Sequence, residues 1–491
     1  MSRAGRAVVA AVRLDRWTED DVRRGVDEAM SAGVGGFVLF GGDADRVSRL
    51  TGEAAIAAGR DLWFAADLER GAGQQFRGLT ELPPPAALAK HPLPREAAAA
   101  AGTLTAAEAR SVGVNWVLAP VTDIDAEPDN PIVATRSFSS DPAVVGELGL
   151  EWISACQAAG ALACAKHFPG HGRTLGDSHV ELPVVDATSA ELEQDIAPFH
   201  AVTRTVGSVM VAHVAFPALG SGRAATVSPE IVGALLRGRL GFDGLVATDA
   251  MIMSGIGDDD AAAAVEAIRA GCDVILYPGD VIRTVTALDR TASDDPLFAD
   301  RLAESIERSD RALSGLPPTG APRDPEAAEI GLDLALRTVV DRSDGMSGWR
   351  RDRPTEVVAV SDDPEVGPPA GREGPLGTIV ERDLRAAGWS VRPAADTIRP
   401  SSEPAAEQRV VVLAATPRGW KGHGRVSDEA TARLRKEMSS AERSLLVMLG
   451  HDRWLAGLGV PGICAWSTES VMEHAAAAWI DGRVGPGFGR K

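Results

Sequence analysis

The chain has 491 residues, 45% hydrophobic and 24% charged, which is typical of a soluble globular protein with two or three domains. The net charge of −19 and the lack of a basic run argue against a nucleic-acid partner, because phosphate binding requires clustered Lys and Arg. No stretch approaches the ~20 apolar residues of a membrane span, so no membrane contact is expected.

The N-terminal region and the cysteines predict the compartment. The apolar run Ala7–Val12 is too short for a secretory signal peptide. The four cysteines, which form no Cys-x-x-Cys pair, are expected to be buried free thiols in a reducing compartment; they are Cys156, Cys164, Cys272 and Cys464. Together these features predict a cytoplasmic protein.

Along the first 300 residues, short apolar runs alternate with amphipathic segments. Eight runs are predicted strands: Ala7–Val12, Gly36–Phe40, Leu62–Ala66, Asn115–Ala119, Leu162–Ala165, Ser208–Ala212, Leu245–Thr248 and Asp273–Leu276. A capping-type signature begins the first helix at Thr18. The later predicted helices cover 96–112, 142–159, 190–204, 229–240, 260–270 and 282–314.

Eight strand–helix units predict an α/β fold, an N-terminal (β/α)8 TIM barrel. A doubly wound open sheet is the alternative, but the chain lacks a Gly-x-Gly-x-x-Gly turn. Polar residues follow five of the runs, namely Asp67, the segment Pro120 to Asp123, Lys166 with His167, His213, and Asp249. The carboxyl ends of barrel strands open on one rim, so we expect a site there.

A Pro-rich segment separates the barrel from the rest of the chain. The predicted domains are a catalytic barrel at 1–315, a linker at 316–325, and a smaller α/β layered domain at 326–491. In the second domain we expect strands at 356–361, 410–414 and 444–449, and helices at 326–340, 378–387 and 428–437.

The segment from Lys166 to His179 concentrates three histidines with other titratable groups after the fifth strand. One interpretation is a solvated turn with satisfied histidines. A second is a metal site built on the His-x3-His and Asp-x-His spacings, although Pro169 and the glycines remove the helix such a pair needs. The third is acid/base catalysis by Asp177 and His179, which lie on the same side of an extended segment.

Asp249 ends the seventh predicted strand, in the segment Gly241-Phe-Asp-Gly-Leu-Val-Ala-Thr-Asp249-Ala-Met251. A carboxylate there could cap the next helix. It could also attack an anomeric carbon in a sugar pocket, forming a glycosyl ester, as the nucleophile of a retaining glycosidase does.

Five motifs occur in order over roughly residues 1–315: Ala119-Pro-Val-Thr-Asp123, Arg136-Ser-Phe138, Lys166-His-Phe-Pro-Gly-His-Gly172, Asp177-Ser-His179, and Gly241-Phe-Asp-Gly244 followed by Asp249. On these motifs the chain resembles glycoside hydrolase family 3, in its β-N-acetylhexosaminidase branch and two-domain form. The third and fourth motifs are the most specific.

The resemblance implies a role for each matching residue. Asp249 would be the nucleophile, and His179 the general acid/base with Asp177 as its partner. Asp67, Arg136, Lys166 and His167, with His213 and Met251, would bind substrate; no cofactor or metal is implied. One segment departs from the family, which often has Asp-Gln-Glu-Gly-Gly where this chain has Asp67-Leu-Glu-Arg-Gly-Ala-Gly73.

The resemblance predicts an exo-acting retaining β-N-acetylglucosaminidase of cell-wall (muropeptide) or chitin fragments, acting on a small carbohydrate in peptidoglycan recycling. The alternatives are a phosphorylase with the same chemistry, a broader β-glucosidase or hexosaminidase, and a non-catalytic sugar-binding protein. Sequence does not fix the oligomeric state.

Overall fold

The computed structural model describes residues 3–176, 181–343, 345–362, 375–392, 407–415 and 425–482. Its first half contains ten strands, and eight of them form one parallel sheet in the order β10-β1-β2-β3-β4-β5-β6-β9. The strands are β1 Val8–Arg13, β2 Gly36–Phe40, β3 Trp63–Ala66, β4 Trp116–Val117, β5 Leu162–Phe168, β6 Ser208–Val211, β7 Ala215–Phe216, β8 Ser221–Ala224, β9 Leu245–Thr248 and β10 Ile275–Leu276.

The edge strands of this sheet meet through a parallel bridge between Ala247 and Val274, so the sheet nearly closes into a barrel. The helices outside it are Glu19–Ala32, Ala44–Ala58, Pro85–Leu88, Pro94–Ser111, Pro142–Ala158, Ser189–Val202, Asp260–Ala270, Val281–Asp294 and Pro296–Ser314, with a π-helix at Pro229–Arg239. The predicted fold class, a (β/α)8 barrel followed by an α/β domain, is confirmed.

The barrel interior is filled by alternate side chains of the short strands, as expected for a packed TIM barrel. Trp63 and Trp116 meet there with ring centroids 5.1 Å apart. Each indole N–H donates to a serine hydroxyl at 2.8 Å, Trp63 to Ser309 and Trp116 to Ser208. These two tryptophans therefore belong to the core, where a buried indole needs a hydrogen-bond acceptor.

The second half forms a six-stranded sheet in the order β11-β16-β15-β14-β12-β13. Its strands are β11 Val340–Asp341, β12 Thr355–Ser361, β13 Val391–Arg392, β14 Gln408–Ala414, β15 Arg443–Leu449 and β16 Gly462–Cys464. All neighbours are parallel except β11, which pairs antiparallel with β16. The helices are Ala327–Leu336, Thr378–Ala386, Asp428–Met438, Asp452–Leu458 and Ser470–Ile480.

Several predicted boundaries were wrong. The fifth strand runs on to Phe168, so Lys166 and His167 lie within it rather than in the following loop. The predicted helix 282–314 is two helices, because Pro296 lacks an N–H and Asp295 caps the second helix through Leu297. The predicted helix 326–340 ends at Leu336 and gives way to β11.

In the barrel half, the helices Ala44–Ala58 and Pro85–Leu88 and the antiparallel hairpin of β7 and β8 had no counterpart in the prediction. In the second half the same holds for β11, β13, β16 and the helices Asp452–Leu458 and Ser470–Ile480. The fourth predicted strand shortens to Trp116–Val117. The proposed domain limits at 315 and 325 stay predictions.

The two halves contact each other through both apolar and polar side chains. Ala86, Ala87 and Ala134 of the barrel half belong to the same buried cluster as the core of the second sheet. His451 accepts from the backbone N–H of Arg453 through Nδ1, so Nε2 carries the proton that faces Asp125 Oδ2 at 3.3 Å. The second half is thereby fixed beside the carboxyl ends of the barrel strands.

Another contact joins the halves at the N-terminus of the helix Ser470–Ile480, where Glu81 Oε2 accepts from the backbone N–H of Val471 at 3.3 Å. Burial, together with the charge of Glu469, raises the pKa of Glu81 to about 7. The unfolded chain ionises at a lower pH, so the folded protein holds one more proton between about pH 4.5 and 7.

Stability is therefore expected to fall as pH rises through this window, by up to about 3 kcal/mol from Glu81 alone. We predict that Glu81→Gln removes this part of the pH dependence and raises the melting temperature at pH 8. Thermal melts of both proteins from pH 5 to 8 test it. Parallel curves for the two proteins would contradict the assignment.

Among the described residues, no helix combines the length and apolarity needed to cross a membrane. The four cysteines are free and buried, as predicted. Burial raises the pKa of all four thiols, which makes them poor nucleophiles.

Candidate active site

A cleft of about 780 Å³ opens at the carboxyl ends of the barrel strands and is bounded on one side by the second half of the chain. The barrel lines it mainly with polar side chains, among them Arg13, Asp67, Glu69, Arg70, Arg136, Lys166, His167, His171, Asp249 and Tyr277. The second half adds Ala415, Trp466, Ser467, Thr468 and Glu469. A concave site with convergent polar groups at this face is where TIM barrels bind their substrates.

Four charged residues form a cluster in the cleft. Lys166 Nζ lies 2.6 Å from Asp67 Oδ1 and 2.7 Å from Glu69 Oε1. Arg136 makes a bidentate contact with Glu69, with both hydrogen bonds at 2.8 Å. Lys166 and Glu69 are almost fully buried, while the Asp67 side chain stays 31% exposed to the cleft. Asp67 is therefore the member of the cluster best placed to accept hydrogen bonds from the hydroxyl groups of a ligand.

The charge states of this cluster follow from its geometry. Burial alone would raise the pKa of Glu69, but Arg136 and Lys166 hold it well below its usual range. Burial alone would lower the pKa of Lys166, but Asp67 and Glu69 raise it above its usual value. Both groups are therefore charged at neutral pH.

We predict that Lys166→Met lowers kcat/KM by at least about 100-fold and destabilises the fold by about 3–5 kcal/mol. The change removes the buried cation that Asp67 and Glu69 share and leaves Glu69 with Arg136 alone. Kinetics and thermal melts measure the two effects. Lys436→Met, at an exposed lysine of the helix Asp428–Met438, is the control and should change neither. Wild-type kinetics in the Lys166 variant would remove this lysine from the site.

A second cluster orients His167 beside the cleft. Its Nδ1–H donates to Asp123 Oδ2 at 2.7 Å, and the backbone N–H groups of His167 and His171 donate to Oδ1 at 3.1 and 2.7 Å. Burial alone would raise the pKa of Asp123, but these partners lower it. A carboxylate that accepts a hydrogen bond from Nδ1–H fixes the ring tautomer and leaves Nε2 as the nitrogen for a ligand.

His171 lies next to the Asp123–His167 pair, and the ring centroids of His167 and His171 are 5.7 Å apart. Its Nδ1 lies 2.7 Å from Thr174 Oγ1. Burial, followed by the proximity of His167, lowers the pKa of His171 to about 4. His171 is therefore neutral at pH 7.

Asp249 follows β9 directly and lines the cleft, half-buried. Its backbone N–H donates to the Val211 carbonyl of the neighbouring strand at 3.1 Å. Its Oδ1 accepts from the N–H of Ala250 at 2.8 Å. The carboxylate is thus held in place by the sheet while it stays accessible from the cleft, which suits a nucleophile.

His213 and Met251 were predicted to contact substrate. Neither is among the described residues that line the cleft. His213 is fully buried, with Nδ1 2.8 Å from Thr226 Oγ1 and Nε2 3.2 Å from the Ala250 carbonyl. Met251 is 1% exposed, and its N–H donates to the Leu276 carbonyl. Both support the segment that carries Asp249; a direct contact with substrate stays a prediction.

The structure brings Asp67, Arg136, Lys166, His167 and Asp249 together in one cleft. Asp177 and His179, the predicted acid/base pair, lie outside the described residues. Among the described residues, no group of three or more His, Cys, Asp or Glu side chains could hold a metal ion.

Non-glycine residues with a left-handed backbone concentrate at this cleft. In the described part of the chain they are Ala134, Tyr277 and Trp466, with φ of 33°, 46° and 61°. Tyr277 and Trp466 line the cleft, and Ala134 lies two residues before Arg136. Such conformations cost roughly 1–3 kcal/mol each and persist where the surrounding structure enforces them, commonly at functional sites.

Sequence reasoning missed several residues of the cleft. Glu69 is two positions from Asp67 on an extended segment, a spacing that could have placed both on one side. Arg13 ends β1, Arg70 lies in the loop after β3 and Tyr277 directly follows β10, but none of them stands in a recognised motif. Trp466 and Glu469 come from the second half, and no local pattern indicates that they reach the barrel.

Known proteins share both the barrel half and the whole architecture. Residues 22–311 match the sequence profile of the glycosyl hydrolase family 3 N-terminal domain. The chain belongs to this family. The resemblance inferred from the motifs is therefore confirmed, and the protein is a family 3 glycoside hydrolase.

The chain is also similar in sequence to two individual relatives and in structure to one solved protein. The β-hexosaminidase of Thioalkalivibrio sulfidiphilus (strain HL-EbGR7) is 38% identical over 286 residues, covering 55% of this chain and 81% of the relative. The β-hexosaminidase A of Pseudoalteromonas piscicida is 34% identical over 273 residues, covering 49% of this chain but only 46% of the relative. A family 3 β-N-acetylglucosaminidase from Paenibacillus sp. str. FPU-7 superposes with a TM-score of 0.81 at 26% identity, covering 98% of this chain and 96% of that one.

Proposed function

We propose that this family 3 enzyme is an exo-acting, retaining β-N-acetylglucosaminidase. The observation that carries the proposal is Asp249, half-buried in the same cleft as the charged cluster of Asp67, Glu69, Arg136 and Lys166. One carboxylate is accessible for attack, and the cluster offers both donors and acceptors for sugar hydroxyls. Both relatives described above are named β-hexosaminidases, which supports the N-acetyl sugar.

In the proposed first step, an oxygen of Asp249 attacks the anomeric carbon while the bond from that carbon to the aglycone oxygen breaks. His179, for which we propose Asp177 as the partner, gives its proton to the departing oxygen. In the second step His179 takes a proton from water, whose oxygen attacks the anomeric carbon and releases Asp249. An imidazole suits both steps because its ordinary pKa lies near neutral pH.

The cleft residues would orient the sugar for this attack. Asp67 would accept hydrogen bonds from sugar hydroxyls, while Lys166 and His167 would donate hydrogen bonds to hydroxyl oxygens. Charged hydrogen bonds of this kind are stronger than neutral ones and fix geometry. Because buried Lys166 is already held between Asp67 and Glu69, the cluster needs little rearrangement when substrate binds.

The proposed substrates are small fragments of cell wall or chitin. A cleft of about 780 Å³, bounded by the second half of the chain, fits the end of an oligosaccharide better than the middle of a polymer. We further propose that the enzyme acts in the cytoplasm, in peptidoglycan recycling. Its four buried free cysteines support a reducing compartment.

The test is turnover of 4-nitrophenyl β-N-acetylglucosaminide and of the matching β-glucoside, each with and without phosphate. We expect the N-acetyl substrate to be preferred and free N-acetylglucosamine to be released in both buffers. Phosphate-dependent release of sugar 1-phosphate would make the enzyme a phosphorylase. Preference for the plain glucoside would assign the cleft to a β-glucosidase, and no turnover of either would favour a binding protein.

A further inference from the structure

Glu469 occupies the N-cap position of the helix Ser470–Ile480, yet its side chain caps no backbone N–H of that helix. Glu81 of the barrel half fulfils this role instead, accepting from Val471. A carboxylate at an N-cap ordinarily turns back to the first helical turn. That of Glu469 is directed elsewhere, and it is one of the residues lining the cleft.

The carboxylate of Glu469 is 2% exposed and has one partner for one of its oxygens. Arg70 Nε lies 2.8 Å from Oε1, and the Arg70 side chain is 22% exposed. Oε2 is buried and has no hydrogen-bond partner among the described residues. A buried carboxylate oxygen without a donor is costly, so a site of this kind calls for a donor supplied from outside the chain.

The surrounding backbone holds Glu469 where it is. Trp466, three residues earlier, has a left-handed backbone that turns the chain after β16 toward the cleft. Its indole N–H donates to the Thr338 carbonyl at 2.8 Å, and its ring packs edge-on against His451 at 5.7 Å. The strained turn is thus fixed from two sides, and the segment Ser467–Glu469 lines the cleft as a result.

Arg70 belongs to the barrel half, in the segment between β3 and the helix Pro85–Leu88, whereas Glu469 belongs to the second half. Their ion pair therefore joins the two halves, and both residues line the cleft. The unpartnered carboxylate oxygen and a charged donor thus lie side by side at one contact.

From this contact we propose that Arg70 and Glu469 recognise a pair of neighbouring hydroxyl groups on the bound sugar. Glu469 Oε2 accepts a hydrogen bond from one hydroxyl, and the Arg70 guanidinium donates a hydrogen bond to the oxygen of the other. The pair determines which sugar is accepted, and it makes the second half of the chain part of the binding site. This inference rests on the proposed glycosidase function, since it concerns the same cleft.

The test compares Glu469→Gln with its matched control Glu81→Gln, the same isosteric change beside the same helix end but outside the cleft. Substrates are 4-nitrophenyl β-N-acetylglucosaminide and its 3-, 4- and 6-deoxy analogues. Glu469→Gln should lower kcat/KM on the parent about 10- to 100-fold, the range for a hydrogen bond to a charged group. The loss should vanish on the analogue that lacks the recognised hydroxyl, and Glu81→Gln should stay within about threefold of wild type.

Three results would overturn the proposal. Equal losses on every analogue, or in both variants, would mean that Glu469 acts through packing between the halves. Unchanged kinetics in Glu469→Gln would leave the pair without a role in recognition. A far larger loss on methyl β-N-acetylglucosaminide, measured alongside, than on the 4-nitrophenyl parent would make Glu469 a proton donor.

Failure of the proposed function is detected separately, by calorimetric binding of N,N′-diacetylchitobiose to Asp249→Asn with and without Glu469→Gln. If Glu469→Gln weakens this binding while the wild-type enzyme shows no turnover, the recognition pair is retained and the proposed glycosidase activity is rejected. Equal binding by both variants would discard the pair whatever the activity.

Discussion

Asp249→Asn is expected to lower kcat on 4-nitrophenyl β-N-acetylglucosaminide by at least about 10⁴-fold, because an amide cannot form the glycosyl ester. The fold should be unaffected, since the Asp249 backbone hydrogen bond to Val211 does not involve the side chain. The hydrogen bond from the Ala250 N–H can also be made to the amide oxygen.

Asp243→Asn is the matched control, an exposed aspartate in the same segment but before β9. It should leave kcat within about twofold of wild type, as surface substitutions usually do. In Asp249→Ala, azide should restore part of the activity and yield the α-glycosyl azide, because an external anion can enter the space of the missing carboxylate. Substantial residual turnover in the asparagine variant would assign the nucleophile to another group.

His179→Ala is expected to separate substrates by their leaving groups. With an alkyl aglycone, which needs protonation to depart, kcat/KM should fall by about 10²–10⁴-fold. With a dinitrophenyl aglycone, which departs as a stable anion, the fall in kcat/KM should be less than about tenfold. The alkaline limb of the pH profile for the alkyl substrate should also flatten, since the titrating acid is gone.

His200→Ala, which removes an exposed histidine at the end of the helix Ser189–Val202, is the control and should give the wild-type profile. Asp177→Asn should lower kcat/KM with the alkyl aglycone in the same way as His179→Ala but by less, because the imidazole stays and loses only its orienting carboxylate. Equal losses with both leaving groups in the His179 variant would exclude it as the proton donor.

The barrel could be predicted because each strand is a short apolar run bounded by turn residues. Gly36–Phe40 and Leu245–Thr248 were predicted to the residue. Their limits are set locally, by glycines before the first and by Asp249 after the second. The extension of β5 to Phe168 could not be predicted, because charged Lys166 enters a strand only when partners such as Asp67 and Glu69 neutralise it.

The candidate site was predicted only in part, for a related reason. Asp67, Lys166 and Asp249 could be placed because strand ends of one barrel converge on one rim. Glu469 could not, since its position depends on how the second sheet packs against the barrel through Asp125, Glu81 and Arg70. Such contacts depend on tertiary packing and leave no periodic signal in the sequence.

The second half of the chain is thus part of the cleft. Its contribution of Trp466 and Glu469 makes the cleft a joint structure of both halves. Substrate preference in this enzyme should therefore respond to changes in either half, whereas the chemistry of bond cleavage should respond to changes in the barrel alone.

The glycosyl ester on Asp249 is tested most directly by mass spectrometry of the enzyme after reaction with 5-fluoro-N-acetyl-β-D-glucosaminyl fluoride. Asp249 displaces its equatorial fluoride from the opposite face, and the resulting glycosyl ester breaks down slowly. We expect one added fluorosugar per chain, located on the peptide that contains Asp249 and absent in Asp249→Asn. A sugar attached to another residue, or turnover of 4-nitrophenyl β-N-acetylglucosaminide with no trapped ester, would contradict a retaining mechanism through Asp249.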